Sequence, residues 1–549
     1  MRNSINCLLA LFSILLFASC KNSGTDARYI PKNAAVVVHL NGKTLTEKLP
    51  WEEIQKNEAY KMVYADSSLK GYVKDVLDNP EVTGVDIANN VFIFMEADSA
   101  GSYVAVHGRL KDAEKFSAFL KKSPENTVGK NGDLNTLKNR ASAGVWNKDR
   151  FLMVLESPDT KSSPFPLPDE MSDVAPGNST QDLAARAFKI FGIKEKESLA
   201  EERKFTKLLG EKGDMHFWMN TYALYSNTPQ FSAMNMMNLT KIYEGSFLAA
   251  TATFEKGQVL GEFRSYSGKE LTDIIKKYSG KGIDKDMVNK LNSDNLAALY
   301  FANFKPEGVK AMLDLMGMTG LANIGLAMAG ITIDDVVKGF KGDFLFAVNN
   351  ITKDSTTSDA NFTFAASVND KDAFNKLLRA FDKMNGAGSE QKLYKETKGD
   401  LFALSNKQTG LTGYMNASPK TIAVWDKLSG SAVGGYANFQ YIMKNIPLNQ
   451  MDSGKTALYN LNLAMWQDAY LTGGKFKNGA YEHRFEINMV DKNTNSLKQL
   501  NDFFSKLAEI EKKNKTLTEG FESLQEAQKN KMDDEMGEPD SDISLDTIQ

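Results

Sequence analysis

The sequence predicts an α+β protein made of tandem duplicated domains, in which largely antiparallel sheet is covered by helices on one face. Three observations predict this class: strand-like apolar runs that recur about half a chain apart, hairpin patterns that follow them, and an amphipathic helical pattern after each hairpin. The 549 residues exceed the length of one ordinary domain, and 42% of them are hydrophobic, which suffices for sizeable cores.

The N-terminal residues resemble a bacterial lipoprotein signal. Arg2 precedes an apolar run over 7–17, which closes with Ala18, Ser19 and Cys20. The run is shorter than the roughly 20 residues that span a bilayer, and small residues before a cysteine are typical of a processing site. We therefore expect a signal peptide over 1–19, lipidation of Cys20 and a tether over 20–28, which would anchor the chain to a membrane through lipid.

The main repeat relates the two halves of the chain. The segment 33–43 recurs as 295–305 with Asn, Ala, Asn and Lys in register, and strand-to-helix patterns follow both copies. A repeat of this length indicates duplication of a whole domain. We expect a first repeat domain over 29–290 and a second over 291–512.

Each domain has a further internal repeat. The segments 215–220 and 457–462 read as strands that end in asparagine, and each precedes a hairpin and a helix, the helices covering 269–278 and 496–507. This pattern predicts four strand-hairpin-helix units. Asparagine at a strand end favours a turn, although four equivalent amides could also line a binding rim; these residues are Asn41, Asn220, Asn303 and Asn462.

Two segments have the composition of connections rather than of folded units. The stretch 157–180 is rich in proline, serine and glycine, which indicates an exposed linker inside the first domain. The stretch 513–549 is a charged tail, and from about 532 it has acidic residues without lysine or arginine, so we expect disorder there.

Composition limits the partners and cofactors. The net charge of -3 gives no field that would attract nucleic acid, and we expect no nucleic-acid partner. The two cysteines are Cys7, in the signal peptide, and Cys20, so the folded part has no disulfide. We expect neither a metal nor another cofactor.

Catalytic motifs are absent from the sequence. It contains no HExxH, CxxC, G-x-S-x-G or phosphate-loop pattern, and a structural role is the better interpretation of its four histidines, His39, His107, His216 and His483. Acidic pairs such as Asp334 and Asp335 fit solvated surface better than a hydrolase site. We therefore predict a protein that is not an enzyme.

Two methionine-rich segments are the most apolar parts of the mature chain. They could wall a cleft for an apolar ligand, because methionine adapts to irregular shapes, but helical spacing fits an ordinary core as well. The candidate cleft residues are Met234, Met236, Met237, Met312 and Met316.

The signal, the segment 29–38 and the duplicated body together resemble a family of uncharacterised lipoproteins from Bacteroidetes-type bacteria. The resemblance implies a cell-envelope protein. Lys21 after the cysteine implies the outer membrane, and the lack of acidic residues over 21–24 favours its periplasmic side. Short Asp-Ser/Thr patterns are similar to O-glycosylation sites of such bacteria, with Ser99, Ser355 and Thr547 as acceptors.

The resulting hypothesis is a lipid-anchored, non-catalytic binding or scaffolding module whose partner is an unknown envelope protein or lipid. The first alternative is a periplasmic carrier of an apolar ligand such as a lipid. A second alternative is a carboxylate-based hydrolase, which would need acidic residues that converge in one pocket.

Overall fold

The computed structural model describes residues 26–98, 101–156, 182–226, 239–292, 294–353, 358–385, 392–448 and 451–514. Several predicted features lie outside these residues: the signal peptide, Cys20, the linker 157–180, nearly all of the tail, the candidate acceptors Ser99, Ser355 and Thr547, and Met234, Met236 and Met237.

The strands of the described residues form one sheet. They are β1 (Val36–Asn41), β2 (Asn90–Asp98), β3 (Gly101–Arg109), β4 (Thr127–Asn131), β5 (Leu134–Lys138), β6 (Ser142–Trp146), β7 (Arg150–Glu156), β8 (Met215–Asn220), β9 (Phe247–Glu255), β10 (Gln258–Tyr266), β11 (Leu296–Asn303), β12 (Phe340–Lys353), β13 (Ser358–Val368), β14 (Tyr394–Lys398), β15 (Leu401–Ser405), β16 (Val433–Ala437), β17 (Trp466–Lys477) and β18 (Ala480–Met489).

Helices connect and cover these strands. They are α1 (Gly42–Lys48), α2 (Trp51–Gln55), α3 (Glu58–Tyr64), α4 (Gly71–Asp78), α5 (Ala113–Leu120), α6 (Leu183–Phe191), α7 (Arg203–Leu209), α8 (Thr221–Tyr225), α9 (Lys269–Tyr278), α10 (Lys285–Asn289), α11 (Glu307–Leu315), α12 (Thr319–Ala327), α13 (Ile333–Gly339), α14 (Lys371–Asn385), α15 (Gln408–Asn416), α16 (Trp425–Leu428), α17 (Phe439–Lys444), α18 (Ser453–Met465) and α19 (496–514).

The sheet is antiparallel at every pairing of these strands. The pairings give the spatial order β4-β5-β6-β7-β3-β2-β1-β8-β9-β10-β18-β17-β16-β11-β12-β13-β15-β14. The predicted α+β class with a largely antiparallel sheet is therefore confirmed. The predicted domain boundary between 290 and 291 stays a prediction, and the sheet continues through both halves.

The order of elements also repeats four times. Each unit has a leading strand, a helical segment, a hairpin and a helix, with β1, β8, β11 and β16 as leading strands. Leading strands pair within each half, β1 with β8 and β11 with β16. Each pair is centred on equivalent residues, Val38 opposite Phe217 and Tyr300 opposite Gly435, as an approximate two-fold relation requires.

One predicted strand of the repeat is wrong. Residues 457–462 lie inside helix α18, where the Asp452 side chain caps the first turn by accepting a hydrogen bond from the Lys455 N–H. Asn462 is therefore helical. The leading strand of the fourth unit is β16, and Asn438 after it caps α17, as Asn220 caps α8 in the second unit. Glycines at 434 and 435 hide this strand from hydrophobic patterning.

The two halves meet where β10 pairs with β18, and these are equivalent strands of the two copies. Glu262 lies opposite Arg484 at the centre of this joint. Beside it, the Arg264 guanidinium donates to both carboxylate oxygens of Glu211 at 2.8 and 2.6 Å and lies 3.5 Å from Glu482. The joint thus combines a complete strand ladder with an ion-pair network.

Helices cover both faces of the sheet, which corrects the expectation of one covered face. Side chains along each strand alternate between the two faces of the sheet. We call the face that carries His39, Trp218 and Phe301 the first face, and the other the second face. Helices α6 and α7 pack on the first face in the first half, and α10, α15 and α16 do so in the second. On the second face, α1 and α19 cover the first half and α14 covers the outer strands of the second half.

Asp26 is bound to the sheet by two ion pairs. Asp26 is buried, and its carboxylate accepts hydrogen bonds from Arg109 at the end of β3 and from Arg150 at the start of β7. The Arg150 guanidinium also lies over the Tyr29 ring. This cluster binds Asp26 and Tyr29 to strands β3 and β7.

Gly261→Ala tests the joint. A Cβ at this position would lie 1.9 Å from the Phe485 ring, so the ring must move out of its position across β10. We expect the free energy of unfolding to fall by about 1–3 kcal/mol, as measured by urea denaturation.

The matched control is Gly413→Ala in α15, where an added Cβ meets nothing within 4 Å. This change should raise stability by about 0.5–1 kcal/mol, because alanine has the higher helix propensity. Equal effects of the two substitutions would contradict the close packing at the joint.

Candidate functional site

Histidines are candidates for catalysis, and two of the four contact each other in the structure. His39 on β1 and His216 on β8 face each other in register, with 2.9 Å between their Nδ1 atoms, so one ring donates a hydrogen bond and the other accepts it. His39 Nε2 also bonds the Asn90 side chain, and His216 Nε2 bonds the Glu211 carbonyl. Sequence patterns do not indicate this pair, because the two residues are 177 positions apart.

Burial keeps this pair neutral. Desolvation lowers the pKa of His39 to about 3 and also lowers the pKa of His216. His107, buried on β3, likewise has a pKa lowered to about 4 by burial, and its Nδ1 contacts the Phe151 carbonyl oxygen. In the described part of the chain, no three His, Cys, Asp or Glu side chains could hold a metal ion together.

The second half has a different pair at the equivalent position. Phe301 lies opposite Gly434, and a Cβ at 434 would meet the Phe301 ring at 2.2 Å. A phenylalanine lying across a glycine fills the place of the two hydrogen-bonded imidazoles. The position therefore serves packing in both halves, and the structural interpretation of His39 and His216 fits this geometry.

The carboxylate pair Asp334–Asp335 is engaged in local structure. Asp334 pairs with Lys310 at 2.7 Å, and Asp335 pairs with Lys376 at 2.9 Å and accepts a hydrogen bond from the Thr332 N–H in a capping box. Lysine hydrogen bonds lower the pKa of both carboxyl groups. The two side chains turn to different partners at the start of α13.

A polar groove runs along the joint on the first face of the sheet. One part has a volume of about 420 Å³ and is lined by strands β9, β10 and β18, with Glu211, Thr251, Glu262, Arg264 and Arg484 among its side chains. Arg264 is engaged by its carboxylate neighbours, so the groove is mainly the solvated surface of the joint.

The most unusual surface belongs to helices α11 and α12. From Leu315 to Ile333 no residue is charged. Leu321, Ile324 and Met328 are exposed by 55%, 69% and 85%, and with Val309 and Met312 they form what we call the α11–α12 surface. Large exposed apolar side chains in one segment indicate an interaction site.

Local sequence fixes the shape of this segment. Gly317 and Gly330 have positive φ values of 68 and 75°, and each ends a helix. The Met318 N–H donates to the Leu313 carbonyl and the Ile331 N–H to the Leu326 carbonyl, as in Schellman caps. The exposed apolar side chains are thus carried by a defined helix–turn–helix.

Among the described residues, the sheet of the second half is also incompletely covered. Tyr300 and Phe346 face each other on the second face of β11 and β12 and are exposed by 49% and 42%. Their counterparts in the first half, Val38 and Ile93, belong to a cluster with Leu497 of α19, and Val38 is only 8% exposed. The second half therefore leaves open a face that the first half closes.

The predicted cleft residues Met312 and Met316 lie at and just after the C-terminal turns of α11. Met312 contributes to the exposed surface, and Met316 is half-buried. The sequence pattern places Met328 in a methionine-rich apolar segment but does not single out Leu321 and Ile324, although the absence of charge from 315 to 333 would have indicated them. No helix in the described ranges is long and apolar enough to span a membrane.

Comparison with known proteins gives a partial match. Residues 27–164 match a family model described as a domain of unknown function, DUF4836. Two solved structures, crystal forms IV and I of TP0453, are both 9% identical to the chain, with TM-scores of 0.26 and 0.25. The matched regions make up 45% and 44% of this chain. They make up 83% and 79% of the chains in crystal forms IV and I. No curated protein matches the sequence.

The histidine pair makes a pH prediction. Its folded-state pKa values lie below the ordinary value near 6.5, so the stability it contributes is complete above pH 6.5 and is lost as pH falls from there towards 3. When pH falls from 7.5 to 5, we expect the free energy of unfolding to decrease by about 2 kcal/mol because of His39 alone, as measured by urea denaturation.

The control variant introduces into the first half the residue pair that the second half has at the equivalent positions. The double variant His39→Phe with His216→Gly has the Phe301–Gly434 pair in place of the imidazoles and should lose less stability over the same pH range. An unchanged pH dependence would show that these histidines are not the groups that titrate.

Proposed function

We propose that the protein is a lipid-anchored, non-catalytic binding module of the cell envelope, which engages an apolar partner through the α11–α12 surface. The observation that carries this proposal is the exposure of Leu321, Ile324 and Met328 within a segment that has no charge. A soluble surface normally intersperses charged residues among apolar ones, and this segment does not.

The energetics favour covering this surface. Burial of a leucine, isoleucine or methionine side chain contributes about 1.5–3 kcal/mol each. A partner that covers three of them therefore gains several kcal/mol before it pays the entropy of association. The exposed rings of Tyr300 and Phe346 offer further apolar area in the same half of the sheet.

The predicted anchor supports an envelope location. The residues from Cys20 to Asp26 can reach about 20 Å when extended. Asp26 is clamped between Arg109 and Arg150, so the fold would begin close to the membrane to which the lipid attaches. The preferred location is the periplasmic side of the outer membrane, on the sequence features of the signal and of Lys21.

Two other functions have less support. A carrier that encloses an apolar ligand needs an apolar cavity, whereas three grooves among the described residues are lined mainly by polar side chains. A hydrolase needs converging carboxylates, and Asp334 and Asp335 diverge to Lys310 and Lys376. Binding through an open surface is the simpler proposal.

Photo-crosslinking in intact cells tests this proposal. A photoreactive amino acid replaces Ile324 in the full-length chain, and mass spectrometry identifies the protein and lipid adducts. We expect a reproducible adduct that is lost when Leu321→Asp and Met328→Asp are added, because the charges stop apolar contact.

The control position is Thr412, an exposed residue of α15 on the opposite face of the sheet. The same adduct at 412, or no specific adduct at 324, would refute binding through this surface. Loss of the adduct in the Cys20→Ala variant would show in addition that the surface reaches its partner only when the anchor is present.

A further inference from the structure

We infer that the partner of the α11–α12 surface is the surface of a lipid bilayer, so that the protein has a second membrane contact besides its predicted lipid. This inference rests on the proposed function and names its partner. In it, α12 lies along the interface between head groups and acyl chains, with Leu321, Ile324 and Met328 directed into the apolar layer.

The exposed apolar side chains lie in one row along the helix. Leu321, Ile324 and Met328 are spaced i, i+3 and i+7, which places them along one stripe of α12 and its C-terminal end. The helix covers nine residues and is about 14 Å long, less than half of the bilayer's hydrocarbon core. It can lie in the interface but cannot cross it.

The polar side chains of this segment are already used internally. The Thr319 hydroxyl bonds Asp314, the Asn323 side chain accepts from the Ile333 N–H at 2.9 Å, and the Thr332 hydroxyl bonds Asp335. Protein interfaces have about one hydrogen bond per 100–200 Å². A segment whose polar groups are turned inward suits lipid better than a protein partner.

The backbone turns on either side of α12 are paired within the segment. An apolar solvent demands that N–H and C=O groups be paired within the segment. The Gly317 N–H donates to the Asp314 carbonyl and the Gly330 N–H to the Ala327 carbonyl, in addition to the bonds of Met318 and Ile331. The turns that bound α12 are therefore internally hydrogen-bonded at the points where a loop would enter the interface.

A lipid on Cys20 would keep the whole chain at a bilayer. With Cys20 lipidated, the segment 21–25 would hold Asp26 within about 20 Å of the membrane. Insertion of α12 then becomes an intramolecular step at high effective concentration, so a modest intrinsic affinity suffices.

Charges around the segment predict which lipids matter. The flanking residues between 305 and 341 carry balanced charge: Lys305, Lys310, Lys338 and Lys341 against Glu307, Asp314, Asp334 and Asp335. Attraction to anionic head groups is therefore weak, and binding should depend little on phosphatidylglycerol content or salt. The apolar contact provides the affinity.

Vesicle flotation tests the inference on the whole chain from Lys21 onward, which lacks the lipid anchor. Vesicles of phosphatidylethanolamine with or without phosphatidylglycerol should carry the protein upwards in a density gradient. Ile324→Asp with Met328→Asp should reduce the vesicle-bound to free ratio at least tenfold. Thr412→Asp should leave this ratio unchanged, and circular dichroism should be the same for all variants.

A single fluorescent label locates the contact. The chain from Lys21 onward has no cysteine, so Ile324→Cys and Thr412→Cys can each carry one environment-sensitive NBD group. On addition of vesicles, we expect a blue shift and quenching by brominated acyl chains at 324 and neither at 412.

The outcomes separate the two proposals. No flotation and no blue shift at 324, with a protein adduct at 324 in cells, would overturn the bilayer contact and leave the binding module standing. Absence of both the vesicle contact and any adduct would overturn both proposals. Flotation that the aspartate pair does not reduce would also overturn the inference, because another surface would then be responsible.

Discussion

The pairing of β10 with β18 is the interaction on which the rest of the structure depends. It turns two duplicated halves into one antiparallel sheet and gives each of these strands a complete ladder. Without it, two long hydrogen-bonding edges would face solvent in the middle of the molecule. The remaining edges are the short strands β4 and β14, whose mostly exposed side chains include Lys130, Lys395 and Lys398. Such charged, short edges discourage pairing with another chain.

Duplication preserved the backbone while the side chains diverged. His39 and His216 in the first half correspond to Phe301 and Gly434 in the second, and both pairs fill one place against the first face. On the second face, buried Val38 corresponds to exposed Tyr300. Among the described residues, the first half thus covers this part of its second face, whereas the second half leaves Tyr300 and Phe346 exposed. This asymmetry is one of the observations behind the proposed binding role of the second half.

The open surface and the predicted anchor are consistent with each other. A helix that exposes Ile324 and Met328 is costly in water, and residence at a membrane lowers this cost because lipid or a membrane-bound partner covers the side chains. The first half, with Asp26 fixed by Arg109 and Arg150, then serves as the tethered end of the sheet.

The sequence by itself determined the fold class and the repeated order of strand, hairpin and helix, because local periodicity and turn residues encode them: α9 begins and ends where the pattern predicted. It misassigned 457–462 and missed β16, because tertiary pairing overrode weak local preferences in a glycine-rich strand. Of the candidate site, it located the methionine-rich segment with Met312 and Met316, but not the exposure of Leu321 and Ile324. Only the tertiary structure decided that His39 meets His216, that equivalent strands join the halves, and that one apolar face stays open, because each depends on register and covering between residues far apart in the chain.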